Sequence, residues 1–338
     1  MPRLSIAQCV QLAQGALEAS GAAEGPSDST AHALVAAEAD GQTGHGLGRV
    51  PSYAAQVKAG KVDGRAQPSL RRLRAGALRI DAAGGFAYPA LDLAIHALPA
   101  MARDCGVAVA AIFRSHHIGA AGYTAERLAR EGCVAFVCSN TPHAMAFAGG
   151  VRPMMGTNPI AFAAPLHGRA PLVVDMALSA VARSKIVAAE KAGEVIPIGW
   201  AMDSAGHPTT DPTAALAGSL APAGGVKGAA LALIVEILCG AVANGHFGWE
   251  ASSFLDDRGP SPCVGQLLLA IDAEPLSAGN FAGRMVQLVD ALQSEQGVRI
   301  PGDRRLANRA RAESSGIDLS ETLHATLTKL AERNGGRR

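Results

Sequence analysis

The sequence predicts a mixed α/β (α+β) protein: a helical N-terminal unit, then a body in which strands and helices alternate. Three observations carry this. Apolar residues recur at helical spacing through residues 5–20 and 27–40, as the buried stripe of an amphipathic helix requires. From residue 87 onward, short apolar runs alternate with longer segments of helical pattern, the order expected where helices cover a sheet. No GxGxxG joins a strand to a helix, so the usual dinucleotide fingerprint and its Rossmann fold are not expected.

The elements follow in order. The second helix, 27–40, is expected to start at Ser27, Asp28 and Ser29, whose side-chain oxygens suit an N-cap. A shorter helix at 51–60 precedes the turn-rich stretch KVDGRAQPS (61–69). Strands are expected at 107–113, 133–138, 160–165, 171–176 and 266–272, where apolar runs are short. Helices are expected at 87–104, 119–131, 179–192, 228–244 and 280–296. The Gly/Pro-rich segment 193–227 is long enough to be a functional loop. Residues 318–334 read as a surface helix.

Bulk properties exclude several functions. The 338 residues are 49% hydrophobic and 4% aromatic, which is a globular composition. Thirty basic and 29 acidic side chains give a net charge of +1 with no basic block, so no nucleic-acid partner is expected. The N-terminal segment has helical spacing and no continuous apolar core, so it does not read as a signal peptide. The most apolar stretch, GAALALIVEILCGAVA (228–243), contains Glu236 and is shorter than the roughly 20 residues of a membrane span. Six cysteines, Cys9, Cys105, Cys133, Cys138, Cys239 and Cys263, show no CxxC spacing. A reduced, cytoplasmic protein away from membranes is expected.

Chemistry gathers in a few segments. His45 stands between Gly44 and Gly46, with Arg49 four residues on. Glycines let the backbone approach a ligand, an imidazole exchanges protons near neutrality, and a guanidinium grips a carboxylate. Together they suit a dehydrogenase or reductase of a small α-keto or α-imino acid; the alternative is a turn histidine beside a solvated arginine. In RSHHIGAAGY, adjacent His116 and His117 are poor joint metal ligands, and no metal is expected. The small residues Gly119, Ala120, Ala121 and Gly122 at a helix start leave N–H groups for an anion or phosphate, with His117 beside a cofactor or simply satisfied in a turn. Thr157 and Asn158 in GTNPIAF put short polar groups before a strand, where they can meet a substrate. Lys227 and Gly228 open the apolar helix. Asp175 ends PLVVD, where it binds ribose hydroxyls or caps a helix. Arg304 and Arg305 in VRIPGDRR grip a phosphate or face water.

Read in order, GHGLGRVPSYAAQVKAGKV (44–62), SHHIGAAGY (115–123), GGVRPMMGTNPIAFAAP (149–165), VVDMALSAVARSKI (173–186), IPIGWAMDSAGHPTTDP (196–212) and GGVKGAALALIVEIL (224–238) resemble the malate/L-lactate dehydrogenase family of the non-Rossmann type. The resemblance spans about residues 5–310. It implies an NAD(P)-dependent oxidoreductase with a non-Rossmann, mixed-sheet NAD(P)-binding domain, a helical domain and a homodimer. Residues 1–70, joined by 290–338, would form the helical substrate and dimer domain, and 71–290 the cofactor domain, which can be discontinuous. By position, His45 would exchange the proton, Arg49 would anchor the substrate carboxylate and Thr157 would touch substrate. His117, Ile118, Gly119, Ala120 and Ala121, with Asp175, Met176, Ala177, Lys227, Gly228, Gly302, Arg304 and Arg305, would line the cofactor. His117 also matches the catalytic base of the ureidoglycolate dehydrogenase branch.

Within that family, GHGLGRVPSYAAQ, RSHHIGAAG, ALSAVARSKI and EASSFLDDRGP are most similar to Δ1-pyrroline-2-carboxylate and Δ1-piperideine-2-carboxylate reductases. This implies NADPH, with NADH possible, and reduction of a cyclic imino acid to L-proline or L-pipecolate. The alternative is a 2-hydroxy-acid dehydrogenase for malate, L-lactate or ureidoglycolate. One departure stands out: where some reductases of this branch carry a serine–histidine–aspartate relay, this chain has Gly44 and Lys185.

Overall fold

The computed structural model describes residues 1–332. A seven-stranded mixed sheet forms its centre, in the order Ser69–Arg74, Ala77–Asp81, Val107–Ser115, Val264–Ile271, Val134–Ser139, Ile160–Leu166, Arg169–Met176. The strands Ala77–Asp81 and Val107–Ser115 pair in parallel. Helix Ala87–Cys105 joins them, as a parallel pair requires. Val264–Ile271 arrives from far along the chain and pairs antiparallel with both Val107–Ser115 and Val134–Ser139. Helix Ala121–Arg130 connects those two strands. The second residue of each small-residue run faces inward: Ala108, Ala110 and Ile112 are buried, and their size lets the covering helices approach closely.

The expected mixed α/β class is borne out. Around the N-terminal unit, helices Ile6–Glu18 and Glu24–Ala39 pack together, and Glu321–Glu332 lies against the first of them. A two-residue pairing of Arg3–Leu4 with Ile317–Asp318 ties the two chain ends. One continuous core runs from Leu17 and Leu34 through Leu91 to Ile112 and Val137. The helical unit and the sheet therefore share their buried side chains. A second core, with Met145, Leu178, Ile186, Leu220 and Val235, lies under a five-stranded sheet of short strands.

Several elements differ from expectation. The second helix starts earlier, after Ala23; Ser27 is buried and turns its hydroxyl to the carbonyls of Ala23 and Glu24 instead of capping. Segment 193–227 is no open loop: it contains strands Ala201–Met202, Pro208–Thr209 and Ser219–Leu220 and the helix Pro212–Ala217. The hairpin at 69–81 and the helix Asp303–Ser315 lie outside the expected elements. The apolar helix runs Val226–Glu236 and then widens into a π-helical turn at Ile237–Val242, a distortion often found beside functional sites. The surface helix expected at 318–334 spans Glu321–Glu332; its residues 333 and 334 lie outside the described residues. No described helix is long and apolar enough to cross a membrane.

Candidate active site

His45 closes a short 3-10 turn, Thr43–His45, between the second helix and Val50–Lys58. Gly46 stands where Glu38 must pass, because a β-carbon there would collide with the Glu38 carboxylate, which accepts the Leu47 N–H at 2.8 Å. Arg49 donates Nε–H to the Gly44 carbonyl at 2.7 Å. That bond anchors the guanidinium by one nitrogen and leaves the two Nη groups for a carboxylate.

The opposite wall comes from the end of strand Val107–Ser115. His117 stacks on His45 with ring centroids 5.3 Å apart, and its Nδ1 is 2.7 Å from the Tyr53 hydroxyl. Tyr88, also buried, lies near enough to Tyr53 for that phenol to raise the cost of its ionisation. Gly119 adopts φ of +69°, and a β-carbon there would collide with the Tyr88 hydroxyl. Glycine is thus needed both for the turn and for the tyrosine's approach. Phe254 lies over both neighbouring imidazoles, 5.0 Å from His117 and 5.3 Å from His116. Its loop is strapped down by Lys61 Nζ on the carbonyls of Ser253, Asp256 and Arg258, and by Gln56 on Phe254 and Asp256.

Burial and two cations, Arg49 and Lys61, set the protonation of these rings. Burial, then the charge of Arg49, holds His45 down to about 4. His116 is held at about 3 by burial, then Lys61 and Arg49. His117 lies well below the ordinary imidazole value through burial, Arg49, His45 and His116. All three are neutral near pH 7. An unfolded chain takes protons on these rings below about pH 6.5 while the folded chain refuses them. Stability is therefore expected to fall as pH drops from about 6.5 toward 4. The two most buried rings alone allow a slope of about 3 kcal/mol per pH unit. Unfolding midpoints measured at about pH 7 and pH 5 check this; equal midpoints would contradict it.

The remaining candidates converge on the segment 175–184. Asp175 Oδ2 accepts the Gly122 N–H at 2.9 Å and faces Gln42 Nε2 at 3.4 Å. The anion expected at this helix start is thus the chain's own carboxylate, and Ile118, Ala120 and Ala121 are buried behind it. Asp175 caps this earlier helix, Ala121–Arg130, and not the one that follows it. Leu178 N–H binds the Thr157 carbonyl at 2.8 Å, and Ser179 bridges Pro222, four residues before the helix that bears Lys227 and Gly228. Met176, Ala177 and Lys227 are exposed beside these contacts, and Gly228 is buried. Thr157 N–H binds Thr141 Oγ1 at 2.9 Å. Asn158, fully buried at φ of +42°, is structural: it binds the Ala232 carbonyl, Glu236 and the Thr141 N–H.

Arg305 departs from the expected phosphate grip. Its Nη1 serves Asp40 and Glu126, two buried carboxylates that also hold Arg309. Its Nε and Nη2 are buried without a partner, and Nη2 faces Gly302. Two orphaned donors beside exposed Arg304 fit a phosphate-bearing group, since buried donors seek partners. No cluster of three or more His, Cys, Asp or Glu placed to share a metal occurs among the described residues. The six cysteines are free, and Cys138 and Cys239 bring their sulfurs to 3.7 Å.

Tyr53, Tyr88, Phe254 and Ser184 were not expected at the site. Only Tyr53 left a signal: it lies four residues after Arg49, on the same helical face. Ser184 Oγ is 4.0 Å from where a β-carbon on Gly44 would stand. Residues 4–328 match the family model of the malate/L-lactate dehydrogenases. The chain belongs to that family.

A (2R)-3-sulfolactate dehydrogenase (NADP(+)) of Chromohalobacter salexigens is 48% identical over 321 residues, 95% of each chain. A Δ1-pyrroline-2-carboxylate/Δ1-piperideine-2-carboxylate reductase of Pseudomonas putida is 40% identical over 94% of each. Among solved structures, the Δ1-piperideine-2-carboxylate reductase of Pseudomonas syringae superposes with a TM-score of 0.93 at 36% identity, covering 98% of this chain and 100% of that one. Sulfolactate dehydrogenase of Methanocaldococcus jannaschii gives 0.90 at 29% identity, covering 99% and 98%. As a malate/L-lactate dehydrogenase family member, the chain is a nicotinamide-dependent oxidoreductase acting on a small acid.

Proposed function

We propose that this family member interconverts a 2-hydroxy acid and its 2-oxo acid with NADP(H), and that its substrate carries a second acidic group, as 3-sulfolactate does. The carrying observation is the helix turn that approaches the His45 loop. There the first turn of helix Arg183–Ala192 puts Ser184 against Gly44, next to Lys185, whose ammonium stands 6.0 Å over the Trp200 ring. His45 Nδ1 is buried without a partner, so no carboxylate relay supports it. A cation on the helix turn that meets the Gly44 loop favours a dianion over the iminium form of a cyclic imino acid. The 48% identity to the sulfolactate enzyme supports the same reading.

In this reading, Arg49 Nη groups hold the C1 carboxylate and Thr157 borders the substrate. Ile118–Ala121, Asp175–Ala177, Lys227, Gly228, Gly302, Arg304 and Arg305 line the cofactor. Bound NADPH supplies the hydride that reduces C2. His45 exchanges the proton at the 2-oxygen. The substrate carboxylate cancels the Arg49 charge and so removes that part of the depression on His45, leaving a better base once substrate is bound.

Reduction of Δ1-pyrroline-2-carboxylate is the second reading, favoured by the Pseudomonas relatives. A panel of 3-sulfopyruvate, oxaloacetate, pyruvate and the two cyclic imino acids with NADPH, followed at the nicotinamide absorbance, separates them. The dianionic oxo acids are expected to give the highest kcat/KM; an imine-only activity would overturn the proposal. We further propose a homodimer closed by an apolar face. Val226, Ile234, Ile237 and Val242 stand exposed on one helix, and Phe147, Leu233 and Trp249 line an adjoining recess of about 210 Å³. An exposed patch of this kind marks an interface, and sedimentation that yields only monomer would refute it.

A further inference from the structure

Sequence resemblance leaves two histidines, His45 and His117, competing for the proton-exchange role. Their surroundings separate them. His117 is 6% exposed and its Nδ1 is held by Tyr53, itself fully buried. His45 has no hydrogen bond to Nδ1 at all. Nε2 of neither ring is bonded or sealed from solvent among the described residues. The two rings stack with centroids 5.3 Å apart, and each keeps Nε2 free for a ligand.

The Tyr53–His117 bond has two possible directions. A neutral imidazole has one N–H and one bare nitrogen, and its partner selects between them. Tyr53 has no other hydrogen-bond partner among the described residues, so its proton is free to go to His117. An O–H aimed at a bare ring nitrogen is also the stronger pairing, because the imidazole nitrogen is the better base of the two groups. The other groups facing His117 are His45, His116 and the Arg49 cation, with Phe254 supplying an apolar face. None of them offers Nδ1 a competing acceptor.

We infer that Tyr53 is a positioning residue that fixes His117 as the Nε2–H tautomer, so that His117 is a hydrogen-bond donor to the reacting oxygen and proton exchange falls to His45. In reduction, His117 N–H polarises the 2-oxo group, and His45, which takes a proton from solvent once the substrate carboxylate has cancelled the Arg49 charge, passes it to the same oxygen. In oxidation, His45 takes that proton as hydride leaves C2 for the nicotinamide. The His117 ring neither gains nor loses a proton in either direction. Tyr53 thus gives His117 the fixed orientation that Gly44 and Lys185 withhold from His45.

The kinetic half of this inference rests on the proposed reaction; the tautomer does not. Nitrogen-15 spectra of the imidazole-labelled wild-type protein near pH 7 should show His117 with Nε2 protonated and Nδ1 bare. Tyr53→Phe should lose that single tautomer and lower kcat by at least about tenfold, with KM for the acid and NADPH affinity unchanged. A wild-type Nδ1–H, or a Tyr53→Phe enzyme with full kcat, would overturn the inference. If no acid oxidises NADPH in the wild type while the spectrum is as expected, the reaction is wrong and the tautomer assignment stands.

Discussion

Arg49→Met should lower kcat/KM for the acid substrate by about 10²- to 10³-fold, the loss of roughly 3–4 kcal/mol expected when one partner of a buried charge pair is removed. Methionine keeps the apolar stem of the side chain and removes the fork. The guanidinium has two tasks here. Its Nη groups face a carboxylate, and its charge acts on His45, His116, His117 and Tyr53 at once. Removing a cation beside an imidazole raises that imidazole's pKa. The pH–rate profile of the variant should accordingly shift upward along with the loss in rate. Steady-state kinetics across pH, with NADPH affinity as the control, check both effects. An unchanged kcat/KM would remove Arg49 from the site.

Glu126→Gln should destabilise the fold by about 3–5 kcal/mol, the range for breaking a buried ion pair on one side. Glu126 is 3% exposed and receives Arg309 at 2.7 and 3.0 Å, Arg130 at 2.7 Å, and Arg305. Burial acts to raise its pKa, yet the hydrogen bonds from Arg309 and Arg130 prevail and hold it at about 2. Asp40 completes the cluster through Arg309 at 2.7 and 2.8 Å. These pairs clamp helix Asp303–Ser315 to the helices Glu24–Ala39 and Ala121–Arg130. A neutral amide leaves two buried guanidiniums undercompensated. Denaturant unfolding of the variant measures the loss; a shift below about 1 kcal/mol, the worth of a surface pair, would show that the cluster is solvent-screened.

The legible parts of the fold were those whose pattern follows from burial. Strands such as Val107–Ser115 and helices such as Ala87–Cys105 came within two residues of expectation because one face is apolar throughout. The hairpin strand Ser69–Arg74 was hidden because all six residues are exposed, so no alternation marks it. Helix Asp303–Ser315 buries only Ala312, which leaves little periodicity to see. The short strands of 193–227 are two residues long, below any sequence period.

At the site, the glycine-bracketed His45 and its Arg49 were readable, because their residue types and spacing already imply the chemistry. The ring stack of His45 on His117, the Tyr53 bond and the contact of Ser184 with Gly44 join residues 64 to 140 positions apart, and spacing carries no trace of them. Asp175 meets the Gly122 N–H, and Arg305 meets Asp40 and Glu126, partners that spacing does not reveal. A charged side chain next to a helix start looks the same in sequence whether it binds a ligand or a neighbouring element.

The central claim is that His45 moves the proton while hydride passes to or from C2. Single-turnover oxidation of pre-bound NADPH by a saturating 2-oxo acid tests it in His45→Ala. The account predicts a loss of at least about 100-fold in that rate, with NADPH bound as tightly as by the wild type. An undiminished rate with intact NADPH binding would contradict it.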